Sequence, residues 1–118
     1  MNIGILRNEK DILSFDAGAM IFDEGDPADA MYAVVEGSVA LSVGGEVLET
    51  AEPGAIFGEM ALIDGQPRSA RAVAATPCKL ARIDERRFKF LVQQTPLFAL
   101  QVMRSLTERL RRWSAAGH

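Results

Sequence analysis

Histidine, cysteine and tryptophan each occur only once, as His118, Cys78 and Trp113, and these scarcities exclude whole classes of chemistry. A lone cysteine cannot close an intramolecular disulfide, so a reducing compartment and a cytoplasmic location are expected. Cys78, directly after Pro77, reads as a small buried or half-buried strand residue with no neighbour to give it a redox role. A single histidine at the last position leaves nothing from which to build a multi-histidine metal site of the cupin kind. Ser-His-Asp and Cys-His arrangements fail for the same reason, since His118 would have to serve in every one. Glu59 and Asp64 can be paired as carboxylates, yet no general-acid logic surrounds them. The expectation is a non-catalytic protein without a metal. No apolar run approaches the roughly 20 residues needed to span a bilayer, and Met1-Asn2-Ile3-Gly4 lacks the basic-then-apolar pattern of a secretion signal. Positive charge is also short: the net charge of -3 argues against a nucleic-acid partner.

What is present is an ordinary globular composition over 118 residues, 48% hydrophobic and 25% charged, which fits one domain, 1–118, with a modest core. Ten glycines and five prolines, mostly in the first two thirds, indicate many turns and short strands. Ile5 to Leu13 carries weak signals and reads as a short helix or an arm. Strands are expected at Leu13 to Asp16, Met20 to Phe22, Met31 to Val35 and Ser38 to Val43. In the last of these, Val39, Leu41 and Val43 alternate with Ser38, Ala40 and Ser42, the period of a strand with one buried face. Gly44-Gly45 supplies positive φ for a tight hairpin into Glu46 to Thr50. A further pair is expected at Ala70 to Ala75 and Lys79 to Ile83, broken by Thr76-Pro77. Short strands with frequent turns indicate a β-sandwich, jelly roll or roll.

At Asp84, a good N-cap, the pattern turns helical through Phe88, Leu91 and Val92. Thr95-Pro96 is a second helix start, a capping hydroxyl followed by proline, and that helix runs to about Trp113. The chain therefore reads as α+β: an antiparallel, jelly-roll-like β-roll over 12–83, then two C-terminal helices over 84–113. No internal repeat, low-complexity stretch or linker divides it.

The chemistry lies between the halves, in Phe57-Gly58-Glu59-Met60-Ala61-Leu62-Ile63-Asp64-Gly65-Gln66-Pro67-Arg68-Ser69-Ala70. A glycine before a short apolar helical turn lets backbone approach a ligand, and the free N–H groups of that turn suit an anion. Arg68 offers a planar fork of donors matched to a phosphate, and Ser69 with the Ala70 N–H adds neutral donors. Glu59 would repel such an anion unless it held a hydroxyl, and a ribose 2′-OH is a suitable one. Phosphate and ribose recognised together imply a nucleotide. A Gly-Glu pair before a helix and a solvated loop arginine are also common, so on these residues alone both readings stay open.

This stretch closely resembles the phosphate-binding cassette, here 57–70, of the cyclic nucleotide-binding domain family, which includes the cyclic AMP receptor protein, the regulatory subunit of cyclic AMP-dependent protein kinase and cyclic-nucleotide-gated channels. Gly58-Glu59-Met60-Ala61-Leu62 and Gly65-Gln66-Pro67-Arg68-Ser69-Ala70 match it in type and spacing. The glycines at 18, 25, 37 and 54 fall where that family's roll turns, and Tyr32 to Val43 looks like its third and fourth strands, so the resemblance covers about Ile12 to Trp113. It implies that Glu59 and the Gly58 backbone hold the ribose 2′-OH. It implies too that Arg68 pairs with the cyclic phosphate, helped by Ser69 and backbone N–H groups around Met60, Ala61 and Ala70. Leu48 and Ile56 are implied walls for the base, and Leu110, Trp113, Arg109 or Arg112 the lid, where an indole or guanidinium would stack on a purine. Ser69 keeps a hydroxyl where relatives selective for cyclic GMP often have threonine, but serine also occurs in cyclic AMP binders. The implied ligand is cyclic AMP, with cyclic GMP the alternative, and no other cofactor.

The last helix carries two further features. Arg104, Arg109, Arg111 and Arg112 make it basic, which reads first as a solvated face near a helix C-terminus. In DNA-binding relatives a helix-turn-helix follows, whereas this sequence stops at Ser114-Ala115-Ala116-Gly117-His118. Ala99, Met103, Leu106, Leu110 and Trp113 form a narrow 4-3-4-3 apolar seam. Such a stripe most often packs on its own domain, and it leaves room for a weak homodimer through 99–113. The functional expectation is a sensor whose ligand shifts the C-terminal helices toward an unknown protein partner, with no membrane attachment of its own. The alternatives are a ligand-free interaction module of the same fold and a regulatory fragment of a larger channel or transporter.

Overall fold

The structure, a computed structural model, describes residues 9–117, so Ile5 to Asn8 of the expected arm and His118 lie outside the described residues. Eight strands and three helices follow in order: β1 Ile12–Phe15, β2 Met20–Phe22, β3 Ala30–Glu36, β4 Val39–Val43, β5 Glu46–Ala51, β6 Ile56–Phe57, α1 Glu59–Asp64, β7 Arg71–Ala74, β8 Cys78–Asp84, α2 Glu85–Gln94 and α3 Pro96–Ala115. The strands form two four-stranded antiparallel sheets, β1-β8-β3-β6 and β2-β7-β4-β5. Each expected strand is present to within a residue or two, and Leu13 belongs to β1 rather than to a helix or arm. The hairpin between β4 and β5 closes Val43 against Glu46 over two residues. Gly44 and Gly45 have φ of 59° and 83°, a pairing that side-chain-bearing residues rarely adopt but that matches the twist of the flanking strands.

Two cores arise because β3 and β8 are buried on both faces. Tyr32 and Val34 with Cys78 and Leu80 point between the sheets, where Phe22, Val39, Leu41, Phe57 and Ala72 fill the interior of the roll. Met31 and Ala33 with Ala81 and Ile83 point outward and are covered by Leu91 of α2 and by Phe98 and Val102 of α3. The period of two along each strand thus divides one apolar run between two compartments. Phe88 and Phe98 meet edge-on at 5.9 Å between centroids and tie α2 to α3.

Asp84 caps α2, its carboxylate accepting the Arg87 N–H at 2.7 Å. Thr95 occupies the N-cap position of α3, with Pro96 opening the helix, but its hydroxyl makes no capping hydrogen bond, unlike the expectation. The apolar seam is also displaced. Met103 and Leu110 are 57% and 51% exposed, and the residues α3 buries are Phe98, Val102, Arg109 and Trp113. The reason is that α3 serves both compartments. Its first half lies on the outer sheet face, and about 16 Å further along, at ~1.5 Å per residue, its last turns reach the mouth of the roll.

Candidate functional site

The cassette residues converge at that mouth. A small cavity is lined by Gly58, Glu59, Met60, Ala61, Arg68, Ser69 and Ala70 from the cassette, by Phe22 and Leu41 from the roll, and by Arg109 and Trp113 from α3. Gly58 stands at the N-cap of α1 with φ of 80°, and a Cβ there would come within 2.7 Å of Arg68 Nη1. Only a bare backbone permits both the left-handed turn and the approach of the guanidinium.

Arg68 is 5% exposed. Its Nη1 donates to the Gly58 carbonyl at 2.8 Å and its Nη2 to the Ala30 carbonyl at 2.6 Å. Its guanidinium carbon lies 4.1 Å from the centre of the Phe22 ring. Main-chain pairing fixes the loop that carries it: the Arg68 N–H donates to Asp26 O, and the Gly25 N–H to Arg68 O, both at 2.9 Å. Burial holds the guanidinium below its ordinary pKa, although the Tyr32, Asp29, Asp26 and Glu59 charges oppose this. Among the described residues, Arg68 Nε is the buried side-chain nitrogen or oxygen left without a hydrogen-bond partner. A buried cationic donor with no acceptor is costly, on the order of 1–3 kcal/mol or more, and an anion seated in the cavity would relieve it.

Glu59 is completely buried, at the first position of α1. Both its oxygens accept from Arg109 Nη1, at 2.6 and 2.8 Å. Arg109, 4% exposed, also donates through Nε and Nη2 to Glu49 at 2.9 and 2.7 Å, and through Nη2 to the Ile56 carbonyl at 2.7 Å. Glu49 on β5 further accepts from Trp113 Nε1 at 3.3 Å and pairs with Arg112 at 3.0 Å. Burial alone would push the Glu49 carboxyl up, but hydrogen bonds from Arg109 and the charges of Arg109 and Arg112 outweigh it and hold the group below the usual range. Burial would lower the Arg109 guanidinium, but Glu49 and Glu59 outweigh that and raise it.

Sequence reasoning and structure differ at defined places. Ile56 is not a cavity wall: its side chain faces the outer core with Met31 and Phe98, because Phe57, next along β6, takes the inward position. Leu48 packs at the margin of the inner core and does not line the cavity. Leu110 is exposed on α3 and does not line the cavity. The solvated-face reading of the basic helix suits Arg104 and Arg111 but not Arg109, which is buried. Ser69 is exposed, its hydroxyl 3.8 Å from Met60 Sδ. Glu49, Phe22 and Leu41 escaped notice. The signal for Phe22 and Leu41 was burial in the roll, whereas an alternating acidic residue in β5 resembles any solvent-facing strand position.

Comparison with known proteins points to one family. The family model described as "Cyclic nucleotide-binding domain" matches residues 12–95. The chain is 43% identical over 93 residues to a cyclic nucleotide-gated potassium channel of Mesorhizobium japonicum, covering 79% of this chain and 26% of the channel. It is 38% identical over 84 residues to the cAMP-dependent protein kinase regulatory subunit of Emericella nidulans, covering 70% of this chain and 20% of that protein. The crystal structure of the Thermus thermophilus catabolite activator protein superposes with a TM-score of 0.81 at 32% identity, covering 95% of this chain and 55% of that one. The chain thus spans about half or less of the length of each of these proteins. Among the described residues no helix is long and apolar enough to cross a membrane.

Proposed function

The chain belongs to the cyclic nucleotide-binding domain family, and from this premise we propose that the mouth of its roll binds a cyclic nucleotide, cyclic AMP in preference to cyclic GMP, as a non-catalytic sensor. The observation that carries the reading is Arg68. It is a buried guanidinium on a residue that lines the cavity, with Nη1 and Nη2 tied to main-chain carbonyls and Nε without a partner. A singly charged cyclic diester supplies the missing acceptor. The main-chain N–H groups around Ala61 and Ala70 complete its cradle, with Ser69 adding a hydroxyl. Glu59, buried on the same cavity, accepts a hydrogen bond from the ribose 2′-OH. The purine then lies toward Leu41 and Trp113, where an indole stacks on its face. The preference for cyclic AMP draws support from the named ligand dependence of the kinase relative.

The output is carried by α3. One end of this helix forms the outer core with Phe98 and Val102, and the other lines the ligand cavity with Arg109 and Trp113. Moving either end disturbs the other, so occupancy shifts the helix. The same helix exposes Met103 and Leu110, a surface for a weak homodimer through 99–113. Calorimetry with cyclic AMP, cyclic GMP and linear AMP tests the reading. Both cyclic nucleotides bind, linear AMP binds far more weakly, and Arg68→Ala loses about 2–5 kcal/mol of binding. Equal binding by Arg68→Ala would remove the assignment of the site.

A further inference from the structure

The cavity holds about 20 Å³, room for roughly one water molecule, and not for a nucleoside. Its remaining space is taken by the chain itself. Arg109 covers the buried carboxylate of Glu59 with both hydrogen bonds of one nitrogen, and the Trp113 indole, 8% exposed, packs into the inner core beside Leu41. The carboxylate that the nucleotide reading gives to the sugar hydroxyl is thus covered by a guanidinium, and the apolar wall it gives to the purine by the indole.

One residue outside the cassette holds this arrangement. Glu49 receives two hydrogen bonds from Arg109, one from the Trp113 indole and an ion pair from Arg112, all from little more than one turn of α3. β5 brings Glu49 opposite Leu41, on the strand pair that borders the cavity.

We propose that Glu49 is a latch that keeps the last turns of α3 in the ligand's place, so that a cyclic nucleotide binds in competition with Arg109 and Trp113. This rests on the nucleotide reading of the same cavity. Entry requires the indole and guanidinium to swing out of their resting places before the indole recloses on the purine face, and their bonds to Glu49 stabilise the resting arrangement against that departure. Glu49 is therefore a positioning residue that lowers affinity and slows association without touching the ligand.

The test uses Glu49→Gln, which keeps shape and removes charge, with Glu52→Gln on the neighbouring exposed position as the charge control. Trp113 is the sole tryptophan, so its fluorescence reports the lid directly. Without ligand, acrylamide quenching of Trp113 rises severalfold in Glu49→Gln and stays at the wild-type level in Glu52→Gln. With cyclic AMP, stopped-flow association and calorimetric affinity both increase by roughly tenfold in Glu49→Gln, as expected for losing charge-assisted bonds that favour only the closed form. Unchanged quenching, or equal or weaker nucleotide binding, overturns the latch. If Glu49→Gln frees Trp113 while neither protein binds cyclic AMP or cyclic GMP, the latch stands and the nucleotide reading fails. Should Glu49→Gln not fold, Glu49→Asp withdraws the carboxylate by one methylene and carries the same prediction at smaller size.

Discussion

Two glycines that bracket α1 allow the Arg68 contact to be weighed against backbone strain alone. Gly58 and Gly65 are both left-handed, at φ of 80° and 71°. Alanine at either position costs about 1–2 kcal/mol for that conformation. At Gly65 nothing lies within 4 Å of the added Cβ, so strain is the whole effect. At Gly58 the Cβ would stand 2.7 Å from Arg68 Nη1 and 3.4 Å from Phe22 Cε2. The guanidinium cannot retreat freely, because its other edge is held by Ala30 at 2.6 Å and its face by the Phe22 ring. Relief breaks at least one hydrogen bond from a charged donor, a further loss of about 1.5–3 kcal/mol. Gly58→Ala is thus expected to lose about 2.5–5 kcal/mol of stability and Gly65→Ala about 1–2. At ~4 °C per kcal/mol for a chain of this size, the two melting temperatures should separate by roughly 6–12 °C. Urea melts measure the stabilities, and calorimetry with cyclic AMP measures the site. Gly58→Ala should lose most of its binding while Gly65→Ala keeps it. Two variants within about 0.5 kcal/mol of each other, both binding normally, would refute the claim that backbone at Gly58 and the position of Arg68 determine one another.

The Glu49 carboxyl ionises below its ordinary value in the folded protein, so its stabilising effect is in force above the usual glutamate range, about 4.3, and is lost as pH falls through the lower folded value. Trp113 emission should therefore move to longer wavelength on acidification to below the ordinary glutamate range. Glu49→Gln should already show the longer wavelength at neutral pH, with no such transition. For self-association, the double variant Met103→Glu/Leu110→Glu alters two exposed positions. It should leave the melting temperature within a few degrees of wild type and abolish any concentration dependence in sedimentation velocity. Persistent dimers in that variant would place the contact elsewhere.

Much of the architecture was legible because its determinants are local. Gly44-Gly45 dictates a two-residue hairpin through its own φ values, Asp84 caps the next helix through its own side chain, and the alternation of Val39, Leu41 and Val43 needs no partner to be read. The cassette was legible for the same reason: Gly58, Glu59 and Arg68 lie within eleven residues, joined by one short helix and one loop. The lid was not. A helix with a single apolar stripe announces one buried face, but α3 packs on two compartments, and the stripe drawn through Met103 and Leu110 was rotated from the one it buries. The resemblance implies Ile56 as a wall for the base, yet strand parity turns it to the opposite face.

The order of strands, the turns, the helix starts and the residue types of an anion-and-hydroxyl site follow from the sequence by itself, since each rests on short-range backbone preference or on chemistry gathered in one segment. Tertiary structure alone decided that an arginine from the last helix is buried between Glu49 and Glu59, sixty and fifty positions away. Charged side chains are buried only where partners await them. Which partners await is settled by how α3 crosses the sheet, and no local pattern in its sequence contains that crossing.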